Sequence, residues 1–193
     1  MDREATLIEK ICQKMGTPMP VYGGNIDFDA AAYNYETETI YVSHVFFEKL
    51  SDIEAEFVLA HEVGHAASRK TLRVVHCGVR VAHAVLAMIA LAAPAAVLWA
   101  GYSAALLAAP VVLWVAYRKA FRYVWSAYCE ELADQFAVKY LGSAALAHRA
   151  FTKVITKSGV TPDKYVRHRL KRLQAQALRE MPGLATLPHY LKK

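Results

Sequence analysis

The sequence predicts an α+β fold: mostly helical, with a small antiparallel sheet and an inserted two-helix transmembrane hairpin. Three observations carry this. Helical patterns cover most of the 193 residues. One short region, 21–43, alternates apolar and polar residues around turn formers. Residues 81–117, 37 in number, contain no Asp, Glu, Lys or Arg.

The elements follow in order. Residues 2–15 form an amphipathic helix with Ile8, Ile11, Cys12 and Met15 on one face, and Gly16 stops it. Pro18 and Pro20 lead to a short strand around Val21 and Tyr22, and Gly23-Gly24-Asn25 reads as a turn. Residues 31–35 and 39–43 flank Glu36-Thr37-Glu38 as an antiparallel pair. A short helix over 46–50 precedes a longer one. Ser51 followed by Glu54 reads as a capping box, and Asp52 suits the positive helix start. No proline interrupts 51–80. Later helices are expected at 125–141, closed by Gly142, at 143–157 and at about 162–179. The tail, with Pro182, Gly183 and Pro188, is expected to be loosely held.

The uncharged run is too long for one membrane span, which takes about 20 apolar residues, and suits two short ones. Residues 81–99 would give ~28 Å of helix and residues 103–117 ~22 Å. The tip falls at Gly101-Tyr102-Ser103. Trp99, Tyr102, Trp114 and Tyr117 lie near the ends, as interfacial aromatics do. A soluble hairpin would need a polar outer face, which this run lacks. His83 is expected to be interfacial or packed, not a ligand. Arg69, Lys70, Arg73 and Arg80 precede the run, and Arg118, Lys119 and Arg122 follow it. Both flanks are therefore expected on the cytoplasmic side. The organisation predicted is an N-terminal half, 1–80, the hairpin, 81–117, and a C-terminal half, 118–193. Two crossings return the chain to its starting side, so the halves can form one domain.

Charge is uneven. Residues 1–62 carry a net −8 and the remainder a net +14, for a total of +6. The basic part suits anionic lipid headgroups. No nucleic-acid-binding module accompanies it, so nucleic acid is not an expected partner. Three cysteines, Cys12, Cys77 and Cys129, without framework spacing fit a reducing compartment. His76 and Cys77 lack partners for a second metal site. No N-terminal signal peptide is read, so insertion would use the internal hairpin.

The chemistry is concentrated in His61-Glu62-Val63-Gly64-His65. On a helix, residues i and i+4 share a face, so two imidazoles can grip one metal ion while Glu62 acts on its water. This pattern points to a zinc-dependent peptidase. A catalytic zinc needs a third protein ligand. Beyond Glu62 the chain has only five acidic residues, and three of them, Glu130, Glu131 and Asp134, lie in one helix. Glu130 and Asp134 are four apart and share a face. One can bind metal while the other holds the free ring nitrogen of a ligand histidine.

His61-Glu62-x-x-His65 followed by Glu130-x-x-x-Asp134 resembles the gluzincin metallopeptidases, and among them the HtpX-like membrane proteases and CAAX prenyl endopeptidases. The resemblance extends from about residue 28 to 173. It includes Thr39-Ile40-Tyr41-Val42-Ser43, Phe46 to Leu50, Glu54, Val58-Leu59-Ala60 and Arg169-Leu170-Lys171-Arg172-Leu173. It implies a zincin-like fold, one zinc ion per chain held by His61, His65 and Glu130, and Glu62 as general base. Asp134 would support a ligand histidine, His61 by preference. The family's His-Pro pair is replaced here by Thr161-Pro162, which leaves the donor for the developing oxyanion open. His168, Arg169 and Tyr165 are candidates, against the plainer reading of a basic, solvated helix face. HtpX-like proteins usually carry spanning helices before the catalytic part, and none is read here. CAAX cleavage is not expected, since one hairpin cannot build the chamber those enzymes resemble.

The expected function is therefore a membrane-anchored zinc endopeptidase acting on protein or peptide substrates. Its site would face the cytoplasm, in a bacterial inner membrane, with a role in membrane-protein quality control. An extended substrate would add to an edge strand, with residues 39–43 as the candidate. The alternative is a catalytically idle or dedicated regulatory relative that binds protein partners at the membrane. An intact Glu62 argues against idleness.

Overall fold

A computed structural model describes residues 3–25, 31–99 and 108–180. The order is α1 (Arg3–Met15), β1 (Val21–Asn25), β2 (Ala31–Asn34), β3 (Thr39–Val42), α2 (His44–Phe47), α3 (Asp52–Trp99), α4 (Ala108–Leu141), α5 (Ala144–Ser158) and α6 (Lys164–Glu180). The chain divides into two compact units. One comprises Met1–Ser68 with Glu130–Lys193, and the other Arg69–Cys129.

The first unit holds the sheet and the core. Apolar residues at helical spacing on α1 place Ile8, Ile11 and Cys12 inward, against Ile40 and Val42 of β3 and Phe57, Leu59 and Val63 of α3. Ala137 and Tyr140 of α4 and Phe151 of α5 complete this core. The capping expectation at α3 holds in part: the Ser51 amide donates to Glu54 Oε2 at 3.0 Å. Glu54 is also paired with Lys157 of α5, so one buried carboxylate ties a helix start to a neighbouring helix. Gly142 closes α4 with φ 75° and donates its amide to the Val138 carbonyl.

The sheet departs from expectation in two ways. It is mixed, not antiparallel, with strand order β1-β3-β2. β2 and β3 form the expected antiparallel pair, from Ala31 opposite Val42 to Asn34 opposite Thr39. β1, however, pairs with the other edge of β3 in parallel. Thr39, Ile40 and Val42 are all buried, which suits a central strand with neighbours on both sides. Residues 39–43 are therefore not an edge, and β2 is. The second departure concerns Gly23-Gly24-Asn25, which continues β1 through an irregular register instead of turning. A side chain at Gly23 would collide with Thr39 and Tyr41, so glycine serves close approach here.

Helix bounds also shift. The expected helix at 125–141 is the end of α4, which is helical from Ala108, since no proline or glycine interrupts residues 111–141. α2 begins at His44, earlier than 46, and α6 begins at Lys164, two residues after Pro162. The proposed tip at 101–103 and the tail lie outside the described residues.

The second unit contains parts of α3 and α4. His83 Nδ1 donates to the Val79 carbonyl at 3.0 Å, and its ring packs on Tyr117 and Phe121. Met88, Ile89, Val112 and Leu113 are each more than half exposed. Among the described residues one helix, over Asp52–Ile89, is long and apolar enough to cross a membrane.

Candidate active site

The two histidines and Glu62 lie on α3 where it is buried in the first unit, each less than a tenth exposed. Burial of three polar side chains on one turn needs partners, and α4 supplies them. The close approach depends on Gly64. A Cβ there would lie 2.9 Å from both Ala133 Cα and Phe136 Cβ. Glycine between the histidines thus lets the two helix segments meet at Ala133, with Glu130 and Asp134 alongside.

The geometry is convergent. His61 Nε2 lies 3.2 Å from Glu130 Oε2, and His65 Nε2 lies 3.5 Å from Glu130 Oε1. One ligand atom from each of His61, His65 and Glu130 falls within 4.8 Å of the others, a spacing able to hold one metal ion. The opposite ring nitrogens are engaged elsewhere. His61 Nδ1 is 3.1 Å from Asp134 Oδ1, and His65 Nδ1 is 2.9 Å from the Tyr35 hydroxyl. Both imidazoles are thus oriented with Nε2 toward the shared carboxylate. Two Nε2 donors and a carboxylate form a donor set that suits zinc.

A second layer of charge surrounds this group. Asp134, 1% exposed, accepts from Arg169 Nη2 at 2.6 Å, Arg169 Nε at 3.1 Å and Arg172 Nη2 at 2.6 Å. Arg169 Nη1 also lies 2.8 Å from Glu130 Oε2, and its guanidinium stacks on Phe151. Burial raises the pKa of both carboxyls, but His61 and Arg169 outweigh it and hold Glu130 and Asp134 well below the usual carboxylate range. Burial and Arg169 press His61 downward, while hydrogen bonds to Asp134 and Glu130 lift it to about 9. The metal-free site is therefore an ion-paired cluster.

These residues open on a cleft of about 500 Å³. His61, Glu62, His65, Glu130 and Arg169 supply its polar wall, and Phe57, Phe151 and Val154 are among its apolar lining. Ala31, Ala32 and Tyr33 of the edge strand β2 lie along it. Of the three oxyanion candidates, only Arg169 lines the cleft. His168 is exposed and Tyr165 half-buried away from the lining. For Arg169 the solvated-face reading is overturned, since its side chain is only 12% exposed.

A family model, Peptidase family M48, matches residues 4–189. The chain belongs to peptidase family M48. M48 enzymes are zinc metallopeptidases, and this M48 chain is a metallopeptidase by family. No curated protein and no solved structure matches it.

Sequence reasoning missed three participants in this M48 site: Tyr35, Arg172 and the steric role of Gly64. Arg172 was legible in principle. It lies three residues after Arg169, the spacing that shares a helix face. Tyr35 ends a strand far from the motif, and no local signal ties it to His65.

Proposed function

We propose that this M48 chain is a membrane-anchored zinc endopeptidase with its site on the cytoplasmic side. The convergence of His61, His65 and Glu130 within 4.8 Å carries the reading. These three residues would hold the zinc, with Asp134 and Tyr35 orienting the histidines. Zinc, when bound, supplies Lewis acidity toward a scissile carbonyl and makes water a stronger nucleophile.

The remaining work falls to the chain itself. An extended substrate would pair with the free edge of β2, which runs along the cleft, and gain main-chain hydrogen bonds there. The apolar cleft wall excludes water from the reacting peptide. Glu62, on the same wall, would take a proton from the attacking water and pass it to the leaving amine. Arg169 is the cationic donor that the cleft offers to developing negative charge.

Membrane anchoring rests on residues 69–129. This stretch has an uncharged core, and its exposed apolar side chains Met88, Ile89, Val112 and Leu113 would face lipid. The basic residues at both ends place those ends toward the cytoplasm. A small HtpX-like protease with one hairpin, acting on proteins at the membrane, fits these features.

The deciding experiment measures zinc content and peptide cleavage in purified wild type and Glu62→Gln. One zinc per chain is expected in both, with cleavage only in the wild type. Full cleavage by Glu62→Gln would remove the assigned general base. Zinc retained at full stoichiometry in Glu130→Ala would remove the assigned third ligand.

A further inference from the structure

The second unit carries a feature that peptide hydrolysis does not use. Residues 69–129 contain seven basic residues and no Asp or Glu. Three of the seven, Arg80, Arg118 and Arg122, line one cleft of about 470 Å³ between α3 and α4. His83, Trp114, Phe121 and Trp125 also line it. On α4 the residues Trp114, Arg118, Phe121 and Trp125 recur at helical spacing, so one face presents aromatics and cation together. The Arg118 guanidinium lies 4.9 Å from the Trp114 ring centre, a cation–π contact that holds it in place.

We propose that Arg80, Arg118 and Arg122 form a binding site for the phosphate group of an anionic phospholipid. Position is the first argument. Arg80 is the last basic residue before the uncharged run and Arg118 the first after it. Both line the same cleft, so they share one depth, where apolar chain gives way to charge. Lipid phosphates occupy that depth in a bilayer. Charge is the second argument. The unit offers no carboxylate to these guanidiniums, and each can grip a phosphate through two parallel N–H groups. Unfinished packing is the third. His83 Nε2 and Trp114 Nε1 are buried without a hydrogen-bond partner. An indole N–H can only donate, so this wall lacks an acceptor. The aromatic and apolar lining suits the glycerol and upper acyl region below a phosphate.

The proposal rests on the membrane placement given above. Carbonate extraction of wild-type membranes tests that placement by itself, and release of the protein would count against the anchoring alone. The site is tested on the purified full chain in a neutral maltoside detergent, titrated with phosphatidylglycerol and read by native mass spectrometry. No membrane surface potential exists there, so a discrete site is read apart from diffuse attraction. One bound phosphatidylglycerol per chain is expected. Arg118→Gln with Arg122→Gln should weaken it roughly 20-fold or more, at about fivefold per cation. Arg118→Lys with Arg122→Lys keeps the charge and lies between, because lysine cannot grip in two-point fashion. Lys70→Gln with Arg73→Gln removes equal charge outside the cleft and should change binding little. Equal loss in that control would overturn the site in favour of diffuse charge. Equal retention of phosphatidylcholine would overturn the preference for an anionic lipid. Displacement by millimolar inorganic phosphate would assign the cleft to free phosphate and overturn the lipid. Zinc content should be unchanged in every variant.

Discussion

Tyr35 and His65 are joined by a 2.9 Å contact between the phenol oxygen and Nδ1. Tyr35 follows β2 directly, in the turn that leads to β3. The Asn34 side chain accepts from the Glu36 and Thr37 amides and shapes that turn. The turn therefore reaches the catalytic helix through one hydroxyl. When Nδ1–H donates to the phenol oxygen, the lone pair of Nε2 is free for a metal. Tyr35→Phe keeps the ring and removes that acceptor. Its zinc affinity is expected to fall by about 10- to 100-fold, measured by chelator competition. Unchanged affinity would show that the hydroxyl does not orient His65.

Gly64 tests the close approach of α3 to α4. Gly64→Ala places a methyl 2.9 Å from Ala133 Cα, a backbone atom that cannot swing aside. A loss of roughly 1–3 kcal/mol is expected from overpacking, read as a lower Tm. Gly78 on the same helix faces open space. Gly78→Ala should be neutral or stabilising by up to about 1 kcal/mol, since alanine is the better helix former. Similar destabilisation by both would point to helix propensity and away from the contact.

Asp134 and Arg169 should respond unequally to truncation. Asp134→Ala leaves Arg169, Arg172 and His61 without their shared acceptor, at a cost of about 3–5 kcal/mol. Arg169→Ala leaves Asp134 still paired with Arg172 at 2.6 Å, so the loss should be smaller. Denaturant unfolding of the two variants gives the order. A larger loss for Arg169→Ala would place the main energetic role on its contacts with Glu130 and Phe151.

Glu54 supplies a pH dependence away from the metal. Burial pushes its carboxyl up, but hydrogen bonds from Lys157 and the Ser51 amide outweigh this and hold its pKa low. A carboxyl with a lower pKa folded than unfolded stabilises the fold above the unfolded value, about 4.3. That contribution disappears as pH falls through the folded value. Glu54→Gln should therefore be less stable than wild type at neutral pH, and the gap should close as the solution is acidified. A gap constant with pH would show that packing, not charge, is lost.

The motif helix, the later acidic pair and the helix stops at Gly16 and Gly142 were legible because each is a local pattern. Two histidines at i and i+4 share a face in any helix, and a positive-φ glycine ends one wherever it falls. The sheet was legible only in part. The β2–β3 pair is a hairpin joined by a short turn, a local event. The β1–β3 pairing is parallel and joins residues separated by a whole strand, and no periodicity specifies it. Gly23 misled because glycine signals a turn and a close approach with the same letter.

The sequence by itself determined the chemistry: which residues on α3 and α4 carry imidazole and carboxylate, at what spacing, and with which charge around an apolar run. Tertiary structure alone decided the partners. It brought Glu130 of α4 between two histidines of α3, buried Arg169 beside Asp134, and set Tyr35 against His65. The difference has a physical cause. Ligand pairs on one helix are dictated by its 3.6-residue period, while contacts between elements depend on how close two backbones can come. Here that distance rests on the missing side chain of Gly64.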